Sequence, residues 1–105
     1  MTDSSFEGQV YNELCKIMNP DLITPQYKIG GYRLDFVINA NGHKIALECD
    51  GKAYHNTPQA YASDMNRQKQ IEQFGFDFYR IWSTNWFEDK DNEIAKLQRF
   101  IDGLK

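Results

Sequence analysis

Two residues near the middle of the chain, Asn41-Gly42, constrain its fold more than any other feature of the sequence. Both tolerate the positive φ angles of a two-residue turn, and Asn-Gly between alternating apolar residues is the strongest short-range signal for a β-hairpin. The sequence therefore predicts antiparallel strands over Tyr32–Ala40 and His43–Asp50. A two-residue turn also fixes their register, because Ala40 must lie opposite His43 and each later pair follows from that one.

This register places apolar side chains on one face of the hairpin and charged side chains on the other. The apolar face comprises Leu34, Phe36, Ile38, Ile45, Leu47 and Cys49. On the other face Asp35 lies opposite Glu48, and Arg33 lies opposite Asp50. Directly opposed side chains have Cβ atoms about 4.5–5.5 Å apart, so two like charges there destabilise the sheet. A shared proton, an arginine or a divalent cation must offset the repulsion between the carboxylates.

Magnesium is one cation that suits these carboxylates, because it prefers oxygen ligands and retains several of its waters. Converging side chains of Asp35, Glu48 and Asp50 would supply such ligands. The alternative is a solvated sheet face with an Arg33–Asp50 ion pair, since alternation on a half-exposed sheet also places charges outside.

The remaining segments complete one α/β domain over residues 1–105. Ser4 and Glu7 have the spacing of a capping box at the start of an amphipathic helix, and Thr57-Pro58 has the pattern of a second helix start. The predicted elements are a helix over about 5–18, strands over 26–29, 32–40 and 43–50, a helix over about 58–74, a strand over 76–82 and a helix from about 91. The fold class is therefore helix, three-stranded antiparallel meander, helix, parallel strand and C-terminal helix, with a right-handed crossover before the parallel strand.

Both early helices carry an acid where an apolar residue is expected. Glu7 falls inside the apolar arc of the first helix, and Asp64 and Arg67 fall in the inward stripe of the second. A capping box could explain Glu7, and an intrahelical ion pair could explain Asp64 with Arg67. Buried carboxylates are nevertheless costly unless they are paired or bound to metal. Acids that converge from four elements therefore predict an acidic site at the sheet.

A histidine follows these acids in the segment "LECDGKAYH". Gly51 frees the backbone to turn, so His55 can reach back over the carboxylates. Histidine is the side chain most easily adjusted to transfer protons near neutral pH, which makes His55 a candidate general base. The alternative is an ordinary polar surface residue.

Composition limits the classes of partner. Twelve Lys and Arg face fifteen Asp and Glu, for a net charge of −3, which argues against a free-standing nucleic-acid binder. The two cysteines, Cys15 and Cys49, are too few for a disulfide framework or a four-cysteine zinc site, so we expect reduced thiols in an intracellular, cytoplasmic protein. No apolar run is long enough to span a membrane, and no membrane partner is expected.

Four segments, "YRLDFVI", "ECDGKAYH", "SDMNRQKQIEQFGF" and "YRIWS", together resemble the PD-(D/E)XK nuclease superfamily. The branch they resemble is that of the very-short-patch repair endonucleases and the phage-encoded EDxHD homing endonucleases. The resemblance implies a restriction-endonuclease-like mixed sheet and hydrolysis of phosphodiesters in double-stranded DNA with magnesium, manganese being possible. It implies Asp35 as the central metal ligand, His55 as a catalytic histidine, and Glu7 and Asp64 as site acids.

The resemblance also suggests contacts with DNA. Arg33, Lys52 and Arg67 could contact phosphates, and Tyr54 occupies the place where the repair enzymes carry an aromatic wedge. The superfamily's usual lysine, two residues after the strand glutamate, is replaced by Asp50, and Lys52 is a possible stand-in for that lysine. The zinc-binding cysteines of the repair enzymes are missing, so a homing-type role fits better than mismatch repair.

The acidic balance and the lack of a recognition helix or basic arm predict that this chain is a catalytic fragment of a longer protein. A DNA-specificity domain would lie in the same polypeptide. Two other functions remain open: a catalytically silent nuclease-fold module for DNA docking or assembly, and a protein-interaction module whose acids bind a basic partner.

Overall fold

A computed structural model of the chain describes residues 4–51 and 57–104. The elements are α1 (Ser4–Ile17), a 3-10 turn (Pro20–Leu22), β1 (Ile23–Ile29), β2 (Tyr32–Ala40), β3 (His43–Asp50), α2 (Pro58–Gln73), β4 (Asp77–Trp82), α3 (Ser83–Glu88) and α4 (Lys90–Asp102). This order confirms the predicted α/β fold class, with one helix more than expected near the C-terminus. No helix of the described residues is long and apolar enough to cross a membrane.

The four strands form one mixed sheet in the order β1-β2-β3-β4. Strand β2 pairs antiparallel with both β1 and β3, and β4 lies parallel to β3 after the α2 crossover. The predicted hairpin turn is confirmed, because Asn41 and Gly42 both have left-handed φ angles, of 55° and 81°. The predicted register is confirmed from Ala40–His43 to Phe36–Leu47.

Helices cover both faces of the sheet. On one face α1, α3 and α4 enclose the larger core, which comprises Phe6, Val10, Leu14, Ile23, Phe36, Ile38, Ile45, Leu47, Ile81, Trp86 and Leu97. On the other face α2 covers a smaller core of Leu34, Val37, Ala46, Ile71 and Phe76. The charged ends of β2 and β3 lie beside this smaller core, so the candidate site is on the side of the sheet that a single helix covers.

The position of Leu34 corrects the predicted face assignment. Strict alternation places Leu34 with Phe36, but Leu34 is fully buried in the smaller core with Val37 and Ile71. The regular pairing of β2 with β3 ends at Phe36–Leu47 among the described pairs. Beyond that point the strands are joined through the side chains of two acids, so the ideal ladder no longer determines which face each residue occupies.

The C-terminal region also differs from the prediction of one helix from about residue 91. The segment Ser83–Glu88 forms α3, and α4 begins at Lys90, with Asp89 accepting a hydrogen bond from the Asn92 amide at 3.1 Å. Trp86 anchors α3, because it is almost fully buried and its Nε1 donates to Gln9 Oε1 at 3.1 Å. This contact joins residues distant in sequence, so local periodicity could not show it.

Candidate active site

Asp35 and Glu48 form the centre of the candidate site, where β2 and β3 end away from the hairpin turn. The amide of Asp35 donates to Glu48 Oε2 at 3.1 Å. In return, the amide of Cys49 donates to Asp35 Oδ2 at 2.8 Å. Each carboxylate is thus fixed by the backbone of the opposite strand. The two acids are neighbours across the strands, as the hairpin register predicts.

Burial and mutual repulsion oppose ionisation of this pair. Burial raises the pKa of Glu48 to about 7, and the nearby charge of Asp35 adds to the effect, while Arg67 opposes it. Burial also raises the pKa of Asp35, and the charge of Asp50 adds to that shift, while the Cys49 amide lowers the pKa. Near neutral pH, Glu48 is therefore partly protonated, and a bound cation would favour its ionised form.

Arg67 of α2 is the cation that neutralises Glu48. Its Nη1 donates to Glu48 Oε1 at 2.8 Å, and its Nη2 donates to the backbone carbonyl of Arg33 at 3.1 Å. The guanidinium also lies 5.7 Å from the ring centre of Tyr32. Arg67 therefore links α2 to the strand ends. It pairs with Glu48 rather than with Asp64, the partner that the helical spacing suggested.

Arg80 of β4 is a site residue that sequence reasoning missed. Its Nε donates to Asp50 Oδ2 at 2.5 Å, and its Nη1 and Nη2 contact both carboxylate oxygens of Asp64, at 2.8 and 2.9 Å. The guanidinium lies 5.1 Å and 5.3 Å from the ring centres of Phe78 and Trp82. One feature of the sequence could have indicated it. Arg80 is the only charged residue among the aromatic and apolar residues 78–82, in the strand that the crossover places beside β3.

Only two of the three predicted metal ligands lie together, because Arg80 binds the third, Asp50. Asp35 and Glu48 are together, whereas Asp50 is held by Arg80 and not by the predicted Arg33. Among residues 4–51 and 57–104, no three His, Cys, Asp or Glu side chains are close enough to hold a metal ion. Magnesium needs fewer protein ligands than that, because it commonly binds one or two carboxylates together with waters and substrate phosphates. The donor set of Asp35 and Glu48 fits this requirement.

Two further predicted residues lie around this pair. Glu7 of α1 accepts a hydrogen bond from Gln26 Nε2 at 3.1 Å. Its charge acts on the Cys49 thiol, whose pKa is raised chiefly by burial, then by Asp35 and Glu7. Arg33 is exposed and lies opposite Lys28 on β1.

Three of the predicted residues cannot be placed. Lys52, Tyr54 and His55 lie outside the described residues. Their roles as DNA contacts and as the catalytic histidine stay predictions.

The sequence model of the restriction-endonuclease-like family REase_MTES_1575 matches residues 6–101. The chain belongs to this family. The matched segment includes Asp35, Glu48, Arg67 and Arg80, so the family match and the candidate site coincide. Searches of curated proteins and of solved structures gave no significant match.

Membership in REase_MTES_1575 supports the coarser part of the sequence interpretation. A restriction-endonuclease-like family suggests a nuclease with DNA as its substrate. The very-short-patch and homing-endonuclease branch is a finer assignment than this family match provides.

Proposed function

We propose that this chain is a divalent-metal-dependent DNA endonuclease that hydrolyses phosphodiester bonds, with the catalytic architecture of the very-short-patch repair and phage homing enzymes. The observation that carries the proposal is the Asp35–Glu48 pair. Two carboxylates on neighbouring strands are fixed by reciprocal hydrogen bonds, and Glu48 is 4% exposed with a pKa of about 7. A bound cation stabilises such a pair most strongly when both carboxylates are ionised.

Asp35 and Glu48 would hold magnesium or manganese. When bound, the ion lowers the pKa of a water molecule and neutralises charge that develops on the phosphate. The remaining roles belong to the chain. The Cys49 amide and Arg67 keep the two carboxylates in place, so that both can face the same ion.

His55 is the proposed proton acceptor, on the strength of the resemblance alone. The same resemblance assigns phosphate contact to Lys52 and a wedge between bases to Tyr54. In the whole protein, we propose that a specificity domain in the same polypeptide selects the target, since a net charge of −3 provides little general attraction to DNA.

The tip of the β1–β2 hairpin is the best candidate for backbone contact with DNA. Lys28 and Arg33 lie directly opposite each other, and both are exposed. Like charges in this arrangement destabilise the sheet, and an anion between them would relieve the repulsion. Both residues also line an open depression of about 340 Å³ around Gly30 and Gly31. A phosphate that sits there is positioned by the same hairpin that carries Asp35.

A second candidate function follows from the arginines. Arg67 and Arg80 pair with Glu48, Asp50 and Asp64, so these acids are already neutralised without metal. A catalytically silent nuclease-fold module that docks on DNA would retain the same contacts. The two functions differ in whether the chain cuts DNA and in what happens when Asp35 is changed.

A plasmid assay tests the proposal. The chain is incubated with supercoiled plasmid in magnesium, in manganese and in chelator, and nicked and linear products are separated on a gel. We expect cleavage only with metal, and a loss of about a hundredfold or more in Asp35→Asn, in line with the removal of a charge-stabilising group. Asp102→Asn, at an exposed position in the last turn of α4, is the matched control. Cleavage in chelator, or full activity in Asp35→Asn, would refute the proposal, and no cleavage in any metal would favour the silent module.

A further inference from the structure

An open cavity of about 480 Å³ lies beside Arg80, where α2, β4 and α3 meet. Tyr61 and Asp64 of α2, Arg80 and Trp82 of β4, and Thr84 and Asn85 of α3 line it. Its volume falls within the range of about 300–1,000 Å³ that is usual for pockets that bind small organic groups. The cavity has no role in the hydrolysis proposed above.

The lining combines aromatic rings with hydrogen-bonding groups. Tyr61 is 61% exposed, which is unusually open for a large aromatic residue, and Trp82 lines the same cavity. Thr84 and Asn85 are also exposed, so a hydroxyl and a carboxamide can contact whatever enters. A nucleobase requires this combination, because its faces stack on aromatic rings and its edge makes hydrogen bonds.

Arg80 connects the cavity to the candidate active site. Arg80 lies directly opposite Glu48 in the parallel pairing of β4 with β3, and neighbouring strands are about 4.8 Å apart. The Arg80 side chain spans the two regions, since its Nε donates to Asp50 while its two terminal nitrogens contact Asp64 at the cavity. Rigid pairing of Arg80 with two acids holds this side of the cavity in place.

We infer that this cavity binds one unstacked nucleobase of the DNA substrate, next to the phosphate that is cut. The inference takes DNA as the substrate from the proposed function. It adds that the site selects DNA in which a base is unpaired. Tyr61 supplies the stacking surface, and Asn85 and Thr84 contact the base edge. Extruding a base from a duplex is easiest where the base is already unpaired or mismatched. The chain therefore prefers DNA with an unpaired base over a fully paired duplex.

Fluorescence anisotropy of two labelled DNA duplexes tests the inference. One duplex carries a single unpaired adenine, and the other has the same sequence fully paired. Both are titrated with the chain in calcium, and gels confirm that the DNA stays intact. We expect the wild-type chain to bind the unpaired duplex about tenfold more tightly, which is the usual magnitude for one base stacked on an aromatic ring.

Substitutions in the cavity test whether it causes the preference for the unpaired duplex. Tyr61→Ala brings the ratio of the two affinities close to one, whereas Tyr61→Phe keeps it because the ring is retained. Asn85→Ala reduces it partly. Phe87→Ala is the control, because Phe87 is also a largely exposed aromatic residue, at 57%, and is not among the residues that line the cavity. Thermal melts of each variant show whether the fold is kept.

The inference is overturned if wild type binds both duplexes equally or binds neither, or if Tyr61→Ala weakens binding to both by the same factor. The last result would indicate a general surface contact. These outcomes are distinct from failure of the proposed function, because base binding in calcium requires no cleavage. A chain that prefers the unpaired duplex but never cuts DNA would retain the base site and lose the nuclease assignment.

Discussion

Replacing Asp35 by asparagine should stabilise the metal-free chain above neutral pH. The change removes one of two neighbouring negative charges but keeps the shape of the side chain. Asparagine still offers a carbonyl oxygen to the Cys49 amide, so the 2.8 Å hydrogen bond that fixes residue 35 can remain. The main loss is therefore the repulsion that Asp35 exerts on Glu48 and Asp50.

The magnitude follows from the pKa of Glu48. Its shift from 4.5 to about 7 means that the folded chain binds this proton more tightly than the unfolded chain does. The contribution of Glu48 to stability is therefore fully present below about pH 4.5 and is lost as pH rises through about 7, by an upper estimate of ~3 kcal/mol at 1.36 kcal/mol per pKa unit. Burial accounts for the largest share and Asp35 for the next. We expect Asp35→Asn to recover ~1 kcal/mol, or about 4 °C in melting temperature.

Circular dichroism melts in chelator, at about pH 8 and about pH 5, measure this effect. At the higher pH the variant should melt above wild type. At the lower pH Glu48 is mostly protonated in wild type, so it feels little repulsion from Asp35 and the difference between the two proteins should shrink. Magnesium should then stabilise wild type, by about 2.7 kcal/mol at a hundredfold excess over its dissociation constant, but not the variant.

Two results would refute this reasoning. A loss of stability in Asp35→Asn at both pH values would show that Asp35 is needed for structure and not for charge. An equal gain at both pH values would show that ionisation of Glu48 is not involved. Asp102→Asn, at an exposed position, should change neither melt and controls for the loss of one negative charge.

Three further changes test other parts of the site. Arg80→Met should lower the free energy of unfolding by ~2–4 kcal/mol in urea titrations, because two largely buried carboxylates lose their cation; unchanged stability would show that the pairs are not formed in solution. Arg67→Ala should raise the pKa of Glu48 further above 7 in a carboxyl NMR titration, since Arg67 is the cation that lowers it, and a fall would contradict the assigned pair. His55→Ala should slow cleavage by roughly 10²–10⁴-fold and leave metal affinity nearly unchanged; wild-type rates would place proton transfer on another group.

The hairpin at the centre of the site could be predicted because its determinants are local. Asn41-Gly42 fixes the turn, the turn fixes the register, and the register brings Asp35 beside Glu48. Alternation failed at Leu34, beyond the last regular pair, where side chains of the two acids replace the ladder as the link between strands.

Arg80 could not be predicted for a different reason. The register of β4 against β3 is set by how α2 packs in the crossover, and no turn joins the two parallel strands. The sequence pattern places Asp50 and Asp64 at the predicted acidic site. It does not give the register of β4 against β3, so it could not show that Arg80 pairs with both acids. Distant contacts likewise produced α3, which Trp86 anchors through Gln9 of α1.

The most direct test of a metal site at Asp35 and Glu48 is a titration with manganese followed by NMR. Paramagnetic manganese broadens the signals of nearby nuclei. The backbone amide of Asp35 donates to the Glu48 carboxylate, and that of Cys49 donates to the Asp35 carboxylate, so both amides lie beside the site. We predict that these two amide signals broaden first, at manganese concentrations well below that of the protein, and that magnesium restores them by competition. We also predict that Asp35→Asn abolishes this selective broadening. Selective broadening around Asp64 instead, or equal broadening in the Asp35→Asn chain, would contradict the account.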